Sequence, residues 1–149
     1  MRLFEEIIRN YALWIALCAW LVAQVLKIII ELLRKRRLDW RLIMSSGGMP
    51  SSHSSFVAAV TTVIGLTEGF DSPIFALGAI VSLIVMYDAS GVRRAAGNQA
   101  KVINDMLDSI ENTGIKLDKK LKEMLGHTPI EVAVGAASGI TIALLLYRQ

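Results

Sequence analysis

Cysteine is nearly absent from this chain. Cys18 is alone among 149 residues, so no internal disulfide can form, and its position inside an apolar run leaves the redox compartment unmarked. Histidine is almost as scarce, with two residues. Three prolines, and the lack of any internal repeat or low-complexity segment, exclude a collagenous or disordered chain. Charge is modest too: a net +3 with 19% charged residues gives no reason to expect a nucleic-acid partner. What is plentiful is hydrocarbon. Apolar residues make up 54% of the chain, above the ~45–50% usual in soluble domains. The expectation is a single all-α domain over residues 1–149, an integral membrane helical bundle.

A bilayer core of ~30 Å takes about 20 helical residues, and four runs approach that length. Tyr11–Leu33 is apolar except for Gln24, Lys27 and Glu31; Ser54–Gly69 is short and rich in small residues; Ser72–Ala89 ends next to Asp88; Pro129–Tyr147 nearly closes the chain. The first run is too long, and too charged at its carboxyl end, for a cleaved secretory signal, so it reads as a retained span. About four transmembrane helices are therefore expected. Residues 34–52 carry Arg34, Lys35, Arg36, Arg37 and Arg41 against Asp39, and residues 91–128 carry seven Lys/Arg against five Asp/Glu. Because basic residues are retained inside, both long loops should face the cytoplasm and both termini the outside, in a cytoplasmic membrane of bacterial type. Within the second loop Val102, Ile103, Met106, Leu107 and Ile110 recur at helical spacing, which predicts an amphipathic cytoplasmic helix ending before Asn112-Thr113-Gly114; a more basic segment, Leu117–Leu125, follows. Such helices can lie among headgroups, cover a cavity or pack on the bundle.

Three stretches carry chemistry. The glycine and serine cluster Ser45-Ser46-Gly47-Gly48-Met49-Pro50-Ser51-Ser52-His53 runs directly into an apolar helix. Paired glycines and a serine-capped helix start are the parts of an anion-binding nest, although Ser51 or Ser52 could be a plain N-cap. Asp88 is followed by Arg93 and Arg94 between glycines, which suits a grip on phosphate and equally suits simple retention of charge inside. In Gly126-His127-Thr128-Pro129-Ile130-Glu131, Thr128 and Glu131 read as a capping box, while a carboxylate four residues after His127 could fix its tautomer and leave the other nitrogen to act. Lys27 lies two turns before Arg34 on one side of the first span, either turned to a site or paired with Glu31 and reaching toward the headgroups.

Together these residues resemble the type 2 phosphatidic acid phosphatase superfamily, which includes lipid phosphatases, bacterial acid phosphatases and vanadium-dependent haloperoxidases. Lys27-x6-Arg34, Pro50-Ser51-Ser52-His53, Arg93/Arg94 and His127-x-x-x-Glu131 are similar to its lysine-arginine, Pro-Ser-Gly-His and Arg…His-x-x-x-Asp motifs. Ser46 to His53, Tyr87 to Arg94, Gly97-Asn98-Gln99-Ala100 and Leu125 to Val132 resemble more closely the divergent membrane branch. The resemblance covers essentially the whole chain. It implies a metal-independent hydrolase of a lipid phosphate or diphosphate without cofactor, with His127 as nucleophile, His53 as general acid and Glu131 as the orienting carboxylate. Lys27, Arg34, Ser52 and Arg93 or Arg94 would hold the phosphoryl oxygens, with Ser51 and the Gly47-Gly48 nest beside them. The chain departs from the pattern in having serine for glycine before His53, glutamate for aspartate at 131 and no proline after Arg34. Arg94 and His127 also stand 33 positions apart, so the loop must fold back to reunite them.

Two other readings compete. A non-catalytic protein could bind lipid phosphate or phosphate, and could self-associate as a homo-oligomer through Gly135, Ser138 and Gly139. Alternatively His127 and Glu131, completed by His53 or Asp88, could hold a metal ion.

Overall fold

The computed structural model describes residues 2–36, 48–111, 121 and 126–148, and the described residues form helices without strands. A short α1 (Arg2–Arg9) leads into α2 (Tyr11–Lys35), followed by α3 (Ser52–Glu68), α4 (Pro73–Ser90), α5 (Val92–Glu111) and α6 (Pro129–Leu146). Gly47 and most of the Leu117–Leu125 segment lie outside the described residues.

Local chemistry sets the helix starts. The Asn10 side chain accepts from the Leu13 N–H at 3.1 Å to open α2. Ser51 and Ser72 cap α3 and α4, with Pro73 at the first position of α4 where its missing N–H costs nothing. The capping box expected at Thr128 and Glu131 is formed at the head of α6. α5 starts earlier than the apolar spacing alone implied and takes Arg93 and Arg94 into its first turn.

Three stretches, Tyr11–Arg34, Pro73–Ile110 and Pro129–Leu146, are long and apolar enough to cross a membrane. The fourth expected span, α3, has 17 residues and does not meet that description. The cause is its position: α3 packs against α2, α4 and α6 at the centre of the bundle. A helix enclosed by helices has little hydrocarbon to face, so small and hydroxyl side chains can replace large apolar ones. Those hydroxyls bind the neighbours. Ser55 donates to the Ala19 carbonyl of α2 at 3.1 Å, Thr61 and Ser82 share a hydrogen bond of 2.8 Å to α4, and Ser138 of α6 donates to Ser55 at 3.4 Å. Buried positions are correspondingly small: Ala16, Ala19, Ala23, Ala59 and Ala143 are fully enclosed, whereas Leu21, Ile80, Leu83, Ile84 and Leu145 point outward. This inversion of the soluble pattern suits a protein whose surroundings are lipid.

Gly135 and Gly139 let α6 approach α3 closely. A Cβ at Gly135 would meet the Ser51 carbonyl oxygen and one at Gly139 the Ser55 carbonyl oxygen. The small residues considered for self-association are thus in contact within the chain. The ends of the bundle are joined differently. At one end Tyr11 bonds Thr67 at 3.1 Å, Tyr147 donates to the Leu66 carbonyl at 3.1 Å, and the two tyrosine rings lie 6.1 Å apart. At the other end the two motif-bearing segments meet.

Candidate functional site

The meeting rests on main-chain bonds between distant segments. The His127 N–H donates to the Ala89 carbonyl at 2.9 Å, and the Ser51 N–H to the Glu131 carbonyl at 3.0 Å. Gly126 packs on the backbone of Arg94, where any Cβ would collide. The 33-position gap between Arg94 and His127 is therefore closed in space. Asn104 of α5 helps to close it, since its side-chain amide donates to the Leu121 carbonyl and accepts from the Leu121 N–H, each at 2.8 Å. One buried amide so mimics a peptide unit and ties the returning segment to the outgoing helix.

His127 is 1% exposed. Its Nδ1 lies 3.2 Å from Glu131 Oε2, and the same carboxylate oxygen accepts from the Thr128 N–H at 3.1 Å. The cap and the imidazole partner, set out in the sequence as competing roles for Glu131, are filled together. Nε2 of His127 is buried and makes no well-aligned hydrogen bond among the described residues, although the Gly48 backbone lies close enough to act on the ring. A buried polar atom left unpaired is costly, and such atoms mark places where something else binds. Burial, aided by the Lys27 charge, pushes the His127 pKa below the usual imidazole value, and the hydrogen bond that the ring donates to Glu131, with the Glu131 charge and the Gly48 backbone, opposes this in part. The ring is therefore neutral at neutral pH.

Lys27 is 2% exposed. Its stem runs against Gly48, whose φ of +94° suits glycine and whose absent Cβ would stand 3.4 Å from the lysine Cγ. Its charge acts on both His127 and Glu131, so this lysine is turned into the bundle and does not reach out to the headgroups. His53 sits exposed in the first turn of α3, and the charges of Arg93, His127, Lys27 and Asp88 all bear on its ring. Arg93 Nε donates to Asp88 Oδ2 at 2.7 Å, with both side chains about 40% exposed. Ser52 is 2% exposed beside His53, and Ser51 is fully buried. As N-cap, Ser51 Oγ accepts from the Ser54 N–H at 3.4 Å and from the Ser54 hydroxyl at 2.9 Å. The first-turn N–H groups of Ser52 and His53 are left without an intrahelical acceptor.

Two expected residues are exposed: Arg34 stands in the last turn of α2, and Arg94 contributes its backbone, through Gly126, to the closure. The metal reading finds no support in this geometry: no group of three His, Cys, Asp or Glu side chains converges among the described residues, and Asp88 holds Arg93. The sequence reading also missed a cavity. Leu17, Trp20, Phe56, Val57 and Val85 form, with His53, a groove of about 430 Å³ between α2, α3 and α4. No local pattern in the sequence pairs those five residues.

An apolar-faced helical bundle with a buried imidazole, a buried lysine and a first-turn histidine at one end is a membrane protein. The chain belongs to the family described as "Divergent PAP2 family", which matches residues 8–142. It is 45% identical over 152 aligned residues to the "Uncharacterized membrane protein YuiD" of Bacillus subtilis (strain 168), covering 95% of this chain and 96% of that protein. No solved structure matches the chain.

Proposed function

We propose that the protein is a membrane phosphatase that hydrolyses a lipid phosphate or diphosphate through a phosphohistidine, without a metal or other cofactor. The observation that carries this reading is His127: one ring nitrogen is held by Glu131, and the other is buried without a well-aligned hydrogen bond and lies under the charge of Lys27. In the proposed step Nε2 attacks phosphorus while the bond to the leaving oxygen breaks and His53 delivers its proton to that oxygen. His53 then removes a proton from water, which cleaves the phosphorus–nitrogen bond and releases phosphate. Lys27, Arg93 and the first-turn N–H groups of Ser52 and His53 oppose the charge on the phosphoryl oxygens. Phosphoryl transfer asks mainly for such positioning and charge compensation. Arg34, Arg94, Gly47 and Gly48 remain further candidates for the same oxygens. The substrate is taken from the cytoplasmic leaflet, in keeping with the basic loops, and α5 borders the site at that surface.

The direct test is phosphate release by protein purified in lipid nanodiscs and supplied with phosphatidate, phosphatidylglycerophosphate or a polyprenyl diphosphate. Release from at least one is expected; release from none overturns the hydrolase. In that event vanadate or phosphate binding that stabilises the protein would favour the rival reading of a binding protein, since the same groups suit a bound anion.

The pH dependence has a definite sign. His127 attacks as the neutral ring, so protonation abolishes attack, and its lowered pKa places the acid limb of kcat/KM below the ordinary imidazole value of about 6.5. Because Glu131 favours the charged ring, Glu131→Gln moves that limb to still lower pH. A limb that stays fixed, or moves upward, in the Gln variant contradicts the assignment.

A further inference from the structure

The groove between α2, α3 and α4 has a direction. Phe56 and Val57 follow His53 by three and four residues, Val85 precedes Asp88 by three, and Trp20 and Leu17 precede Lys27 by seven and ten. At 1.5 Å per helical residue, all three walls lie about 5–15 Å from the polar cluster toward the opposite end of the bundle. Two of the walls, α2 and α4, belong to stretches able to cross a membrane, so this depth lies in hydrocarbon. His53 lines the groove and is at the same time under the charges of Lys27 and Arg93, which Asp88 opposes in part. The cavity is thus apolar along its length and cationic at its mouth, and its 430 Å³ falls within the ~300–1,000 Å³ of small-ligand sites.

We propose that this groove holds the hydrocarbon chain of a membrane lipid whose phosphate occupies the Lys27, Arg93 and His127 cluster, with His53 at the junction of chain and headgroup. The inference rests on the anion site of the preceding subsection and not on turnover. Charge complementarity selects the occupant: a zwitterionic lipid gains little from cations at the mouth, whereas a phosphate monoester places its anion there and its chain along Trp20 and Val57. The chain then lies between helices of the protein, and the groove, together with the cations, determines which lipids are accepted.

The experiment uses the full chain in phosphatidylcholine nanodiscs with phosphatidate carrying a photoactivatable diazirine on one acyl chain. Labelling is expected at Leu17, Trp20, Phe56 and Val57, and a tenfold excess of unlabelled phosphatidate lowers it about tenfold by competition, while the same excess of phosphatidylcholine does not. Val57→Trp, which fills the groove, is expected to remove the labelling; the wild-type pattern is decisive by itself should that variant fail to fold. Labels scattered over outward residues such as Leu21, Ile80 and Leu145, or equal labelling by a diazirine phosphatidylcholine, overturn the proposal. The two readings fail separately. Phosphate release with scattered labels keeps the hydrolase and rejects the groove, while competed groove labels without release keep the groove and reject the hydrolase.

Discussion

Alanine at position 127 is expected to lower phosphate release on the order of 10⁴-fold or more, because removing a nucleophile leaves only what binding and charge stabilisation contribute to rate. The same variant should still bind vanadate or phosphatidate, since Lys27, Arg93 and the first turn of α3 are unaltered. Glu131 separates the two roles of its carboxylate. It orients His127 and closes the cap by accepting from the Thr128 N–H. Glu131→Ala should therefore cost about 1 kcal/mol of stability along with turnover, whereas Glu131→Gln can retain the cap while losing the charge beside the imidazole. Turnover within a few-fold of wild type in folded His127→Ala would end the phosphohistidine scheme. Loss of phosphate binding together with turnover would instead make His127 a ligand of the anion.

The second large effect is on folding. A Cβ at Gly139 would fall on the Ser55 carbonyl oxygen and stand 2.8 Å from its carbon and 2.9 Å from its Cα. These are backbone atoms of the central helix, which cannot swing aside as a side-chain tip can. Overpacking of this kind costs about 1–3 kcal/mol for alanine, and a larger residue costs more. Against the ~5–15 kcal/mol that holds a typical domain, Gly139→Leu should prevent stable folding. Gly78 supplies the comparison, because its nearest neighbour is the Thr61 hydroxyl at 3.2 Å, a side-chain atom. Thermal melts in detergent should rank Gly139→Ala well below Gly78→Ala, and equal melting would mean that α3 and α6 are not in backbone contact. Gly135→Ala should damage the site as well as the fold, since Gly135 packs on Ser51, whose N–H bonds the Glu131 carbonyl.

Local physics was legible along the chain where one residue type answers one backbone need. Ser51 and Thr128 cap helices because their oxygens accept first-turn N–H groups, and the spacing from Val102 to Ile110 belongs to a helix. α1 escaped notice although Phe4, Ile7 and Ile8 recur at helical steps, because eight residues with four charges resemble a polar terminus. The run Ser54–Gly69, short and rich in small residues, became α3, which is not among the three stretches long and apolar enough to cross a membrane; packing against three helices removes the need for a continuous apolar surface.

The sequence by itself determined that α2, α4 and α6 are helices apolar enough for a bilayer, and which residue types are on hand for phosphate chemistry; these follow from periodicity, capping and side-chain pKa, each a property of a few adjacent residues. Only the tertiary structure decided that Lys27 and Arg93 lie near enough for their charges to act on His53, that Lys27 acts likewise on His127, that Gly126 packs on Arg94, and that a groove opens beside His53. Those outcomes depend on how closely backbones approach at Gly126, Gly135 and Gly139 and on main-chain bonds between segments far apart in the chain, and no local pattern encodes which faces will meet.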